Sequence, residues 1–260
     1  MPYVVAITRA PRAEVPGTYR EIGGTASAPI DTWLAPLAEA MSMASYDLRL
    51  RVAGPPPWIV SRVSSEGEAT EATSRLKAGG CGAVHLDPTH HALRGASFVA
   101  RAYARGSTVL LEPEGRVIDG DTLSLVVRAT LDEELGREVT RFSPNTYDGV
   151  TSHSRERARR RAIYLWPRTG APVRLVEGTF GLTEEHGATS RAKLDAFVTK
   201  VRELAPTARF HDAFVHEPRK RTSMRALSQS DTHRSSVQGN VEETDLAVAL
   251  LARAIDESQA

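Results

Sequence analysis

Residues 37–87 read LAEAMSMASYDLRLRVAGPPPWIVSRVSSEGEATEATSRLKAGGCGAVHLD, and the order of elements in the first third of the chain follows from them. The spacing predicts a short helix over 45–52, stopped by Gly54 and the run Pro55-Pro56-Pro57, which cannot continue a helical hydrogen-bond ladder. Residues 58–63, WIVSRV, are aromatic and β-branched and predict a strand. A helix is expected over 66–77, with Ala69, Ala72 and Leu76 on its inner face and Gly79-Gly80 as its stop. Residues 83–86 then form a closing strand. Upstream, Ile30, Trp33, Leu34, Leu37 and Met41 recur at three and four residues and give a helix one apolar face. Ser27 is its expected cap, and Pro36 is expected to kink or delay it. Residues 11–29 read as a long loop, and 3–8, YVVAIT, as the first strand.

The resulting order is strand, helix, helix, strand, helix, strand. On the quoted stretch the segment resembles the C-terminal domain of the bacterial ribosomal stalk protein and the Clp protease adaptor fold, which share this plan. The resemblance implies an α/β sandwich over 1–92. It does not carry the activities with it. The stalk protein's factor-binding helix bears lysines, whereas 30–41 contains neither Lys nor Arg. The adaptor's substrate pocket uses an Asn-Asp pair after the first strand, where this chain has Arg9-Ala10-Pro11-Arg12.

Beyond residue 95 the pattern changes to short strands over 98–104, 109–111, 116–118, 123–131, 139–142, 162–166 and 173–177. Asp119-Gly120-Asp121 reads as a hairpin turn, and 122–135 satisfies both strand and helix periods. Ser190 is the expected cap of a helix to about residue 204, with Leu194, Phe197, Val198, Val201 and Leu204 inward. Strands closed by one amphipathic helix resemble a bacterial pleckstrin-homology-like domain, which implies a binding role. Residues 217–225, EPRKRTSMR, are polar and basic, and 228–240 are too poor in apolar residues to order themselves. A final helix is expected over 242–257. The fold class is therefore α+β. The expected organisation is an α/β domain over 1–92, a mainly antiparallel β domain with a closing helix over 93–216, a flexible linker over 217–240 and a tail helix over 241–260.

The 260 residues are 41% hydrophobic and 25% charged, enough for a sizeable core. A net charge of +1 argues against a general polyanion binder, and no apolar run is long enough to span a bilayer. The N-terminus lacks the pattern of a signal peptide, and Cys81 stands alone, so a cytoplasmic, reducing location is expected. The richness in Ala, Arg and Gly suggests a GC-rich bacterial source.

Three function classes follow. The favoured one is a non-catalytic protein-interaction or adaptor protein with a protein partner, no catalytic residues and no cofactor. No Gly-rich phosphate loop and no Gly-x-Ser-x-Gly elbow occurs, and Cys81 has only His85 as a local base. The alternative is a nucleic-acid or anionic-surface binder using Arg155, Arg157, Arg159, Arg160 and Arg161, because guanidinium forks match phosphate oxygens. The plainer account of that run is a solvated loop entering a strand. The third is a metal-dependent enzyme at His85, Asp87 and His91, with His90 beside them and a looser group at His211, Asp212 and His216. Polar residues at strand ends and in loops explain those groups more simply, so no metal is assigned.

Overall fold

The computed structural model describes residues 2–11, 30–52, 54–89, 93, 99, 101–142, 149–178, 181–182, 189–216 and 240–259. The chain is α+β and divides into two compact units. Unit 1 combines 1–96 with 246–260, and unit 2 is 97–245, so unit 2 is inserted into the sequence of unit 1. No helix among the described residues is long and apolar enough to cross a membrane.

Unit 1 is built on a three-stranded antiparallel sheet with β1 (Tyr3–Arg9) between β2 (Trp58–Val63) and β3 (Gly82–Leu86). Successive residues of a strand face opposite sides of its sheet, and β1 separates two apolar surfaces in this way. Val5 and Ile7 pack with Trp33, Leu34 and Leu37 of α1 (Ile30–Ala40), Leu48 of α2 (Ser45–Arg51) and Ala69 and Leu76 of α3 (Glu66–Ala78). Val4 and Ala6 face the other way and pack, with Val84, against Leu246 and Leu250 of α6 (Val241–Gln259). Helix α1 starts at Ile30 and runs through Pro36 without the expected delay, and Pro36 is exposed, so its ring displaces no packed neighbour. Ser65 caps α3 by accepting from Glu68 N, and Glu68 accepts in turn from Ser64 N at 2.9 Å and Ser64 Oγ at 3.0 Å. Those hydrogen bonds from Ser64 hold the Glu68 carboxyl below its ordinary pKa. Gly80 has φ +80°, the left-handed backbone that ends the helix. The expected loop over 12–29 and the Ser27 cap lie outside the described residues.

Unit 2 contains two four-stranded sheets. One has the order β10-β4-β5-β6, from β4 (Arg101–Arg105), β5 (Thr108–Glu112), β6 (Arg116–Asp119) and β10 (Gly181–Leu182). The other has the order β11-β7-β8-β9, from β7 (Leu123–Phe142), β8 (Gly149–Pro167), β9 (Val173–Val176) and β11 (Arg209–His211). Both sheets share one core with α4 (Ser190–Leu204). Val109, Leu111 and Ile118 come from the first sheet, Val126, Ile163 and Leu165 from the second, and Leu194, Phe197, Val198 and Val201 from the helix.

Two local expectations are corrected, and a third, open between strand and helix, is resolved. Asp119-Gly120-Asp121 is not a hairpin: Asp119 caps one 3-10 turn, Gly120–Thr122, and the chain passes from the first sheet into the second. Of residues 122–135, all from Leu123 onward resolve to strand, where Val126 and Leu165 stand in register and bury together on the face below α4. The side chain capping α4 belongs to Thr189, not Ser190, and it accepts from Ala192 N at 3.3 Å.

Helix α6 begins at the edge of β7. Asn240 N donates to Asp132 O at 3.1 Å, and Asp132 N donates to Asn240 Oδ1 at 2.8 Å. Asn240 is only 3% exposed, so the flexible linker expected over 217–240 does not extend to its last residue, which is fixed as a strand-edge partner. Residues 217–239 lie outside the described residues.

Candidate functional site

Strands β7 and β8 carry the arginines of the sequence run and divide them. From Asp132↔Arg159 outward to Phe142↔Gly149 the two strands pair with each other, and no third described strand joins them. At a strand rise of about 3.3 Å per residue this two-stranded ribbon extends over roughly 30 Å. Arg155 and Arg157 sit on it opposite Gly136 and Glu134. Arg159 stands opposite Asp132, and its Nε donates to Asp132 Oδ1 at 3.0 Å. The run is therefore not a loop before a strand but the body of a strand, with acidic residues across from Arg157 and Arg159. Arg160 stands opposite Leu131, and Arg161 opposite Thr130.

Arg161 leads into a cleft. β7 places Arg128, β8 places Arg161, α4 places Arg191, Asp195, Val198, Thr199 and Arg202, and the link after β11 places Asp212, around a cavity of about 490 Å³. Positions 128, 130 and 132 of β7 share a face with 163, 161 and 159 of β8, which is the face α4 covers. Helical spacing then brings Arg191, Asp195 and Arg202 along one side of α4, over the ends of Arg128 and Arg161.

The groups form a charge network. Arg128 Nη2 donates to Asp195 Oδ1 at 2.5 Å, and Arg161 Nη1 lies 3.3 Å from both oxygens of the same carboxylate. Asp212 Oδ2 receives Arg202 at 3.3 Å and lies 3.8 Å from Arg128 Nη1. Arg202 also stacks over the Phe210 ring, 4.6 Å from its centroid, which fixes its guanidinium. The side chains of Arg128 and Arg161 are 23% and 20% exposed, so their forks are held rather than free in solvent. Arg191 lies in the first turn of α4, is exposed, and has no ion-pair partner among the described residues. Among the described residues the lining carries four guanidinium groups against two carboxylates.

The metal candidates do not converge among the described residues, where no group of three His, Cys, Asp or Glu is placed to hold an ion. His85 Nδ1 is 3.2 Å from Thr73 Oγ1, and Asp87 accepts from Thr89 N at 2.8 Å and Thr89 Oγ1 at 2.6 Å, closing its own turn. His90 and His91 lie outside the described residues. In the looser group Asp212 belongs to the arginine network, and the His211 ring packs 4.7 Å from that of Phe214. Cys81 is buried, and burial pushes its thiol up to about 11 against a small opposing effect of Arg9.

A second polar cluster lies on the opposite face of the β7–β8 sheet. Tyr164 Oη donates to Asp245 Oδ1 at 2.8 Å, and Arg174 Nη1 donates to Asp245 Oδ2 at 2.5 Å. All three residues belong to unit 2. Sequence reasoning missed both clusters. Only Arg161 among the cleft arginines stood in the basic run; the others are single residues scattered over Arg128, Arg191 and Arg202. Comparison with protein-family models, curated proteins and solved structures found no match.

Proposed function

We propose that the protein is a non-catalytic binding protein of adaptor type that recognises an anionic group in the cleft of unit 2. The observation that carries this reading is the unequal lining, in which Arg128, Arg161, Arg191 and Arg202 surround one cavity and, among the described residues, Asp195 and Asp212 oppose them. Two features suit the task. The carboxylates hold the inner forks in place, which lowers the ordering cost of binding, and Arg191 stands ready for an external anion. The buried lone thiol fits a reducing, cytoplasmic setting.

This reading replaces the continuous basic run as the centre of recognition. Arg157 and Arg159 stand opposite the acidic positions Glu134 and Asp132 across the ribbon, whereas the cleft keeps a surplus of positive charge among the described residues. The test is calorimetric titration of the whole chain with sulfate, with chloride at equal ionic strength as the control. Saturable sulfate binding that weakens with added salt and is lost in Arg191→Glu is expected. Heparin is the comparator: tight heparin binding that survives Arg191→Glu, with no sulfate binding, would overturn the cleft reading.

A further inference from the structure

The charge balance of the cleft narrows its ligand, and this step rests on the anion-binding reading above. Asp195 is shared by Arg128 and Arg161, and Asp212 by Arg202 and Arg128, so the internal pairs account for two of the four positive charges. Among the described residues a surplus of two remains around a cavity of about 490 Å³. A monoanion such as a carboxylate or a phosphodiester compensates half of it. A dianion compensates all of it, and a tetrahedral oxyanion offers guanidinium forks several oxygens at once. The volume is ample for such a terminal group between a sheet face and a helix. We infer that the cleft binds the dianion of a phosphate monoester, with Arg191 as the cation that closes on it and Arg161 and Arg202 beside it.

The charged groups facing the ligand are Arg128 from β7, Arg161 from β8, Arg191, Asp195 and Arg202 from α4, and Asp212 after β11, with His211 next to Asp212 in the chain. A monoester loses its second proton near pH 6, whereas sulfate is a dianion throughout the neutral range. The experiment titrates the full chain with O-phosphoserine, sulfate and acetate between pH 5 and 7, with sulfate reporting any change in charge of the protein itself, His211 included. The affinity of O-phosphoserine relative to sulfate is expected to rise roughly tenfold over that interval. Arg191→Ala should weaken both dianions about tenfold or more while the melting temperature stays unchanged. A flat ratio, or acetate binding as tightly as the dianions, would overturn the inference and leave the anion reading standing. No binding of any anion would overturn that reading and this inference with it. Vesicles containing phosphatidate, a monoester on a lipid, separate the two sources of the group. Displacement from them by free O-phosphoserine supports recognition of the monoester itself, and vesicle binding that O-phosphoserine fails to displace assigns recognition to the surface and overturns the inference.

Discussion

Tyr164 shows how one side chain converts burial into a pH limit. Its phenol is fully buried, donates to Asp245 and lies beside Arg174. Burial, reinforced by the Asp245 charge, raises its pKa well above the ordinary 10. In the unfolded chain the phenol ionises near 10, so above that pH the unfolded state binds fewer protons than the folded one. The stability Tyr164 confers is thus complete below pH 10 and declines as the pH climbs beyond it. Absorbance of phenolate should show Tyr164 silent until the chain unfolds, and a full six-tyrosine signal before unfolding would contradict the burial. Tyr164→Phe removes a hydrogen bond to a charged group and should cost about 1.5–3 kcal/mol in urea denaturation. Gly120 is constrained differently: a Cβ there would lie 2.2 Å from Leu204 O, a backbone atom at the end of α4 that has no rotamer to move. Gly120→Ala should therefore destabilise unit 2 by about 1–3 kcal/mol or more, whereas Gly106→Ala, with nothing near, should cost only its backbone strain. Cys81 should resist a thiol reagent in the native protein and react once in urea, because its thiol is buried and holds its proton to about pH 11.

At the scale of elements, what the sequence reveals depends on whether a signal is local. Helix α4 was legible because Leu194, Phe197, Val198 and Val201 repeat at helical spacing and all four are buried. Its cap was displaced by one residue because Thr189 and Ser190 are equally able acceptors, and only the backbone path chooses between them. The 119–121 turn was misread for a related reason: its Asp-Gly chemistry suits a hairpin, but the close approach of Leu204 to Gly120 is a tertiary fact. The arginine run is visible as composition and its acidic cross-strand positions are not, since Asp132 and Glu134 come opposite Arg159 and Arg157 only through the β7–β8 register. That register makes a prediction. Arg155→Glu with Arg157→Glu should leave sulfate binding unchanged and cost no more than about 1 kcal/mol per altered cross-strand pair. Loss of binding equal to that of Arg191→Glu would mean that the ribbon, not the cleft, carries recognition.

The whole molecule departs from the expected linear order of domain, domain, linker and tail in one respect that matters physically. The sheet of unit 1 has two apolar faces, and its sequence-adjacent helices cover one. Trp33, Leu37, Leu48 and Leu76 pack on the side of Val5 and Ile7. The side of Val4, Ala6 and Val84 is covered by Leu246 and Leu250, which return after the whole of unit 2. The strand reading of 3–8 could not reveal this, because a strand buried on both faces is a continuous apolar run that names no partner. Lys77 on α3 and Glu257 on α6 fasten the same helix at 2.8 Å. Burial opposes ionisation of Glu257, but the hydrogen bonds from Lys77 and Arg253 prevail and keep its carboxyl below the ordinary value. A fragment of residues 1–96 should then fold incompletely. It exposes the face that Leu246 and Leu250 cover, and burying a leucine is worth about 1.5–3 kcal/mol. Such a fragment is expected to bind a hydrophobic dye and to unfold at a lower urea concentration than unit 1 does in the intact chain. A synthetic peptide of residues 241–260 should bind it in trans, suppress the dye signal and raise the midpoint. The same peptide with Leu246→Ala and Leu250→Ala should do neither, since the two residues stand one turn apart on the contacting face. In the intact chain Leu250→Ala alone should cost about 2–5 kcal/mol. A 1–96 fragment as stable with the peptide as without it would show that the second face needs no cover, and that the insertion of unit 2 is a fact of connectivity without an energetic consequence for unit 1.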